Sequence, residues 1–314
     1  MAPRDHTVPQ LYLRRFAVQH GRGWFTKAAR VDDPSNVWET NVANVASESG
    51  FYTFEDVDGE SVRDLEGFFG QLESLATPAL RTILDDPRWA LTASWPLTPD
   101  LRVPLAWFMA AQIVRTTRQR KRLAALGIEP TLDLPGQMAF GDIATEHARF
   151  IASAIGVIAF TLNARPWALA HSSTCLIASD CPVVILNAQD DDDQITAAAR
   201  DSIAFPLDPH RMLFLPDLRM AEEDPAKRRD HKVALGGIGA VFAEAVYDAA
   251  DRHVFFHPEH QPVHILNPSS RLPAPGEPAR GHGYMIEYQA LHPDYSIEKR
   301  YAHEHVPANE PSGP

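Results

Sequence analysis

In the first half of the chain, apolar residues recur with the period of an α-helix. From residue 61 onward, one helical face collects Leu65, Phe69, Leu72, Ala76 and Ile83. The acidic pair before Pro87 predicts the end of this helix. Pro78 lies inside the pattern and predicts a kink or a break near that residue.

Two more helices are predicted to follow, with strands on either side of the helical part. The second helix is expected to begin with Asp100 as its N-cap and to end near Gly127, and the third to span about 142–162. Short aromatic and β-branched runs predict strands at 23–26, 37–40, 50–54, 174–178, 183–186, 202–205, 211–215 and 254–256, with a further helix at 233–250. We therefore expect an α+β fold, in which a helical layer packs on a small, largely antiparallel sheet.

The bulk composition is that of an ordinary globular protein. Of 314 residues, 45% are hydrophobic and 22% are charged, which is enough for a sizeable core. We expect residues 1–268 to form a single compact domain. The Pro- and Gly-rich residues 269–314 are expected to form a partly disordered C-terminal extension.

The charge and the terminal pattern exclude several classes of protein. A formal charge of −12 disfavours general binding to nucleic acid or to a membrane surface. The chain opens without an apolar leader, and no stretch approaches the roughly 18–20 apolar residues that span a bilayer. Cys175 and Cys181 suit a reducing compartment. We therefore expect a cytoplasmic protein without a membrane partner, and its oligomeric state stays open.

Three polar residues fall on helical faces that are otherwise apolar. Glu73 borders the stripe of the first helix, and on the second helix Gln112 and Arg115 continue a stripe that begins with Leu101. A buried carboxylate needs a partner, because isolated burial of a charge is costly. The three residues are therefore either a structural network between two helices or the floor of an anion-binding or catalytic pocket.

Two further candidate residues lie at the ends of segments. Apolar residues on both sides fix the position of His6, and Asp180 follows a predicted strand. The carboxylate of Asp180 could act as a base, a metal ligand or the partner of an arginine. It could equally accept backbone N–H bonds in an Asx-turn before Pro182.

Two other patterns have simpler structural interpretations. The histidines His253, His257, His260 and His264 have a spacing that resembles metal ligation. Pro258 and Pro262 interrupt this run, however, and exclude the helical geometry of a zincin site. The basic run at 115–122 could contact the phosphates of a nucleotide or an RNA, but it also suits a solvated helix end.

The order of the motifs resembles the bacterial domain-of-unknown-function family 4238, over roughly residues 6–256. The matching residues are His6, Pro9, Tyr12, Leu13 and Phe16, then Glu48, Phe51 and Tyr52, then Glu73, then Gln112, Arg115, Thr116 and Arg118, and last 179–183 and 205–209. Thr117 departs from the pattern, in which proline is frequent. The resemblance implies that Glu48 joins the polar residues above in one constellation, and it implies no reaction.

We expect an enzyme with a polar pocket between the helical layer and the turn at Asp180. The candidate acid–base groups are His6, Glu73 and Asp180. The candidate ligands for Mg²⁺, Mn²⁺, Fe²⁺ or Zn²⁺ are His6, Glu48, Glu73 and Asp180. The candidate groups for binding a small anionic substrate are Gln112, Arg115 and Arg118.

The leading hypothesis for the reaction is metal-assisted hydrolysis, for example of a phosphoester. Iron-dependent oxidation would use similar ligands. The alternative is a non-enzymatic regulatory or defence module that binds a nucleotide or an RNA end through the basic run. The chain has neither a Walker loop nor a Gly-x-Gly-x-x-Gly fingerprint, so no nicotinamide or flavin cofactor is expected.

Overall fold

A computed structural model describes residues 4–55, 61–62, 64–85, 95–126, 143–186, 193–219, 224–235 and 238–260. The helices are α1 (Gln10–Leu13), α2 (Asp64–Leu84), α3 (Pro99–Val114), α4 (Thr117–Ala125), α5 (Ile143–Ala164), α6 (Gln194–Arg200) and α7 (Gly239–Ala249). The strands are β1 (Arg4–His6), β2 (Val18–His20), β3 (Gly23–Arg30), β4 (Asp33–Asn41), β5 (Ser47–Ser49), β6 (Phe54–Glu55), β7 (Ser61–Val62), β8 (Ala168–His171), β9 (Ala178–Ser179), β10 (Val184–Ile185), β11 (Ile203–Asp208), β12 (Arg211–Leu215), β13 (His231–Ala234) and β14 (His253–Phe256). The fold is α+β, as the sequence pattern predicts.

Helix α3 is the centre of the helical layer. It packs against α2 and against α5, and almost all of its residues from Leu105 to Val114 are buried. The helix ends before Arg115, and α4 begins after Thr116, whose hydroxyl accepts the N–H of Gln119 at 3.1 Å. The prediction of one continuous helix is therefore wrong, because a second N-cap interrupts it.

Two other helix predictions need correction. The N-cap of α3 is Thr98, and Pro99 and Asp100 both lie in the first turn, so Asp100 is inside the helix rather than at its cap. Helix α2 continues through Pro78 without a break. Proline removes only one backbone donor there, and the buried residues Phe69 and Leu80 anchor the helix on both sides of it.

The described strands form two five-stranded sheets and two two-stranded sheets, β1 with β5 and β6 with β7. In the first sheet the order is β10-β11-β12-β8-β13, with β13 parallel to β8 and the other pairs antiparallel. In the second sheet β3 is central: it pairs with β4, and also with β2 and β14, while β9 pairs with β14. Each five-stranded sheet therefore joins segments that are far apart in the chain.

Residues 172–177 form a loop where the sequence predicts a strand. The N–H groups of Ser172 and Leu176 donate to the carbonyls of His210 and Pro209, each at 2.8 Å. The turn between β11 and β12 thus supplies the hydrogen-bond acceptors for the backbone of this loop. The strand in this part of the chain is β8, which ends just before the loop. The predicted helix at 233–250 likewise begins as β13, and only its later part is helical.

Within the described residues, α5 is long and apolar enough, by length and composition, to cross a membrane. The expectation that no stretch reaches this length is therefore wrong. Packing accounts for one face of the helix, because Ile151, Ile155 and Ile158 are buried and the helix contacts α3, α4 and α6, whereas Val157 and Phe160 are exposed. The predicted C-terminal extension, 269–314, lies outside the described residues.

Candidate functional site

The N-terminal segment forms one wall of the candidate site. Strand β1 pairs with β5, and the N–H and hydroxyl of Thr7 both donate to the carbonyl of Ala46, at 2.8 and 3.0 Å. In α1, Tyr12 packs on Phe205 with ring centroids 5.4 Å apart. These contacts hold the backbone of His6 in place from both sides.

Arg115 stands at the end of α3 and has Glu73 of α2 as its partner. The arginine side chain is 1% exposed, and its Nη1 lies 3.0 Å from Oε1 of Glu73. The guanidinium carbon lies 5.0 Å from the centroid of the Phe69 ring. This contact confirms the predicted pairing of the carboxylate on the first long helix with the arginine on the next.

The guanidinium of Arg115 is only half satisfied by the protein. Its Nε and Nη2 are buried and have no hydrogen-bond partner among the described residues. The same holds for Oε1 of Gln112, one helical turn earlier, whose Nε2 donates to the carbonyl of Phe108 at 3.4 Å. Leaving a polar group such as Nε or Nη2 of Arg115 buried and unpaired costs about 1–3 kcal/mol. The unpaired edge of Arg115 therefore points to a ligand.

A polar cavity of about 280 Å³ adjoins this arginine. The lining residues are His6, Pro9, Gln10, Leu11, Arg14, Glu66, Phe69, Gly70, Glu73 and Arg115. They come from the N-terminal segment, α1, α2 and the end of α3, so the cavity forms where the N-terminus meets the helical layer. Of the residues predicted for the site, His6, Glu73 and Arg115 are brought together here.

His6 faces this cavity with its imidazole in a defined orientation. The side-chain amide of Gln10 donates to Nε2 of His6 at 3.2 Å, so Nε2 accepts and carries a lone pair. Burial lowers the pKa of His6 from its ordinary value of 6.5, against the opposing effects of a hydrogen bond with Ala43 and the charge of Glu73. The ring is therefore mainly neutral at pH 7, in a state that can accept a proton.

Residues 4–268 match the model of a family of proteins of unknown function, DUF4238. The chain belongs to this family. No curated protein and no solved structure matches it. Membership in DUF4238 assigns no reaction, so the function of this DUF4238 member has to be argued from the geometry of its own residues.

Asp180 lies elsewhere in the DUF4238 fold, in what we term the Asp180 turn (Asp180 with residues 251–253). Its two carboxylate oxygens accept the N–H groups of Asp251, Arg252 and His253 at 2.8, 2.7 and 3.0 Å. Burial, and then the charge of Asp251, raises the pKa of Asp180 to about 6. Asp180 is not among the residues that line the cavity of Arg115, and its contacts are those of a backbone clamp.

Glu48 and Arg118 do not line that cavity either. Glu48 forms an ion pair with Arg252 at 2.6 Å, next to the Asp180 turn. Arg118 on α4 is half-buried, and its charge acts on Cys181. The predicted constellation therefore divides into two sets, one around Arg115 and one around the Asp180 turn.

The basic run is largely used inside the fold. Arg120 donates to Nδ1 of His147 at 3.1 Å and lies over the ring of Phe51. Lys121 pairs with Asp251 at 2.7 Å, and Arg122 is 5% exposed. The surface that the nucleotide- or RNA-binding alternative requires is thus engaged in intramolecular contacts.

Metal-ligating atoms converge in a place that the sequence pattern indicates only in part. Among the described residues, three or more such atoms approach within 4.8 Å in two groups, and their members are Cys175, His210 and His260, and His257, Glu259 and His260. Neither group contains His6, Glu48, Glu73 or Asp180, so the four predicted ligands do not form one set.

The sequence contains part of the signal for these groups. His257 and His260 belong to the histidine run noted above, but Cys175 and His210 come from other segments. His253 instead packs edge-on against Trp38, with centroids 5.9 Å apart. His264 lies outside the described residues.

Proposed function

We propose that this DUF4238 protein is a hydrolase of small, phosphate-bearing esters, in which Arg115 binds the anionic group and His6 is the general base. The observation that carries the proposal is that Arg115 lines the polar cavity while Nε and Nη2 of its guanidinium are buried and have no hydrogen-bond partner among the described residues. Nε and Nη2 form the side-on fork of a guanidinium, which matches two oxygens of a phosphate or a carboxylate.

The cavity suits a small ligand with this charge. Its volume of about 280 Å³ is near the lower end of the range for small-molecule sites, roughly 300–1,000 Å³. Arg14 is a second cation in the lining, which also contains Glu66 and Glu73; Glu73 binds Nη1 of Arg115 and leaves the Nε–Nη2 edge without a partner among the described residues. The arginine is therefore positioned before the ligand arrives, which reduces the entropic cost of binding.

His6 supplies the proton transfer that hydrolysis needs. A water molecule displaces the Gln10 amide from Nε2 of His6 and attacks the phosphorus, a new P–O bond forms, and the water proton passes to that nitrogen. The bond to the leaving oxygen then breaks, and that oxygen receives the proton from the imidazolium. Arg115 stabilises the charge on the equatorial oxygens during the transfer. His6 is assigned as the base because it lines the cavity and burial keeps its ring mainly neutral at pH 7.

The test measures hydrolysis of 4-nitrophenyl phosphate and bis(4-nitrophenyl) phosphate, together with calorimetric binding of inorganic phosphate to the full chain. We expect phosphate to bind in the cavity and to inhibit hydrolysis. Arg115→Lys removes the planar fork and is expected to weaken phosphate binding and to lower kcat/KM by about 100–1000-fold. His6→Gln keeps a polar side chain and is expected to lower kcat by about 100-fold or more, with phosphate binding nearly unchanged.

The matched control is His20→Gln, because His20 is exposed on β2 and is absent from the cavity lining. Circular dichroism of each variant checks that the fold is retained. Wild-type protein that binds no phosphate, or a folded His6→Gln variant with the wild-type rate, would refute the proposal.

A further inference from the structure

We propose a second site that is independent of the function above: a zinc site whose ligands are Cys175, His210 and His260. The sulfur and nitrogen ligand atoms of these three residues all lie within 4.8 Å of one another. Sγ of Cys175 is 3.0 Å from Nδ1 of His260. In a tetrahedral zinc site the ligand atoms are roughly 3.3–3.8 Å apart, given Zn–N and Zn–S bonds of about 2.0–2.3 Å. Small side-chain adjustments therefore suffice to enclose the ion.

Three separate segments bring these ligands together. Cys175 lies in the loop at 172–177, and hydrogen bonds from Ser172 and Leu176 tie that loop to the turn that carries His210. His260 closes a short turn after β14, where its N–H donates to the carbonyl of His257 at 2.9 Å. The turn that carries His210 belongs to the first sheet, β14 belongs to the second, and the loop at 172–177 runs from β8 of the first to β9 of the second. A bound ion would therefore hold together the segments where the two sheets meet.

The hydrogen bonding of His210 prepares it as a ligand. Its Nδ1 lies 3.0 Å from the carbonyl oxygen of Ser172, which can only accept, so Nδ1 carries the proton and Nε2 carries the lone pair. A histidine that ligates zinc usually donates its other N–H to a carbonyl or a carboxylate in this way.

The fourth position is supplied by the turn that carries His260. His257 and Glu259 form the second group of ligand atoms around that histidine, again within 4.8 Å, and the rings of His257 and His260 have centroids 4.9 Å apart. One thiolate with imidazoles is a donor set that favours zinc over magnesium or calcium, which prefer oxygen ligands.

A cysteine–histidine nucleophile is the competing interpretation of the short contact between Cys175 and His260. Such a pair needs one imidazole, whereas His210 lies with its ring centroid 4.9 Å from that of His260, and His257 lies equally close. Two imidazoles within 4.8 Å of one thiol, with a third ring packed against His260, are accounted for when they share a cation. The geometry therefore favours the metal.

The cluster borders a cleft of about 520 Å³ that is distinct from the cavity of Arg115. His210, His257 and His260 line this cleft together with Arg14, Arg15 and Arg81. The two spaces share only Leu11 and Arg14 in their linings. Metal binding and phosphate binding can therefore be removed separately.

The first experiment is elemental analysis of the full, untagged chain, expressed with zinc in the medium. We expect about one zinc per chain in the wild-type protein. Cys175→Ala and His260→Ala are each expected to lower the zinc content at least tenfold. The matched control is Cys181→Ala, because Cys181 is the other buried cysteine and belongs to neither ligand group; it is expected to keep its zinc.

The second experiment needs no variant and so does not depend on the folding of one. Cobalt(II) added to chelator-treated wild-type protein should give a thiolate-to-cobalt charge-transfer band, which zinc then abolishes. Wild-type protein that contains no zinc and gives no such band overturns the proposal, as does a Cys175→Ala variant with wild-type zinc content. Rapid alkylation of Cys175 by iodoacetamide in zinc-treated protein would identify a nucleophile instead.

The zinc proposal can be tested separately from the hydrolase proposal. The variants His6→Gln and Arg115→Lys should retain their zinc, so failure of the hydrolase proposal leaves this test intact.

Discussion

The cavity of Arg115 and the Asp180 turn each hold a buried charge, and they differ in how completely the protein satisfies it. Asp180 is 4% exposed, and three backbone N–H groups donate to its carboxylate. Arg115 is 1% exposed, but one edge of its guanidinium has no partner among the described residues. A fully satisfied buried charge is accounted for by the fold, whereas a half-satisfied one calls for a ligand. Burial is nearly equal in the two places, so the completeness of the hydrogen bonding is what separates a structural charge from a candidate binding group.

The largest expected effect on stability is that of Asp180→Ala. The substitution leaves three buried N–H groups without an acceptor, at about 1–3 kcal/mol each before water enters. We expect the free energy of unfolding, measured with urea, to fall by about 4 kcal/mol. Hydrolysis per folded molecule should stay unchanged, in contrast to Arg115→Lys.

A matched control for that variant is Asp193→Ala. Asp193 is an exposed aspartate that caps α6 by accepting the N–H of Ile195 at 3.1 Å, so its loss should cost about 1 kcal/mol. If Asp180→Ala were as stable as wild type and yet inactive, the contrast between the two regions would fail, and Asp180 would join the catalytic groups.

An effect of intermediate size is expected from pH. His147 is fully buried, its Nε2–H donates to the carbonyl of Val114 at 2.7 Å, and Arg120 donates to its Nδ1. Burial lowers the pKa of His147 from 6.5 to about 4. The folded state therefore favours the neutral ring, and its contribution is complete above pH 6.5. As the pH falls from about 6.5 to about 4, up to about 3 kcal/mol of stability is lost.

Asp180 contributes to the same pH range with the opposite sign. Its pKa is raised to about 6 in the folded state from an ordinary value of 3.8, so the folded chain binds this proton more tightly and stability falls as the pH rises between these values. The free energy of unfolding, measured with urea from pH 4 to 7, should show the sum of the two effects. In His147→Gln we expect the loss of stability at low pH to disappear, so that only the decrease with rising pH due to Asp180 remains. An unchanged pH profile in this variant would contradict the assignment to His147.

The smallest effect is expected from Thr116→Ala, at the break between α3 and α4. The N–H of Gln119 loses its acceptor, and the free energy of unfolding should fall by about 1 kcal/mol. Calorimetry should give a phosphate Kd within a few-fold of wild type, because Thr116 itself is not among the residues that line the cavity. A tenfold weaker Kd would mean that the break itself positions Arg115.

The sequence predicts the pairing of Glu73 with Arg115 because both lie on periodic helical faces, and burial obliges a carboxylate to find a cation. It leaves the role of Asp180 open, since an Asx-turn and a site residue share the same local pattern. It does not predict the group around Cys175, because that group depends on a loop whose backbone is satisfied by a turn more than thirty residues later. Local periodicity in the sequence predicts the helices, whereas contacts between loops that are distant in sequence can be seen only in the folded structure.

The pairing of β3 with β14 has a consequence for synthesis. Residues 27–30 bond to 253–256, so this edge of β3 stays open on the ribosome until more than two hundred further residues have been translated. An exposed strand edge can pair with another nascent chain, and contacts so distant in sequence form slowly. The cavity of Arg115 draws only on residues 6–115, and all of these have been synthesised long before that edge can close.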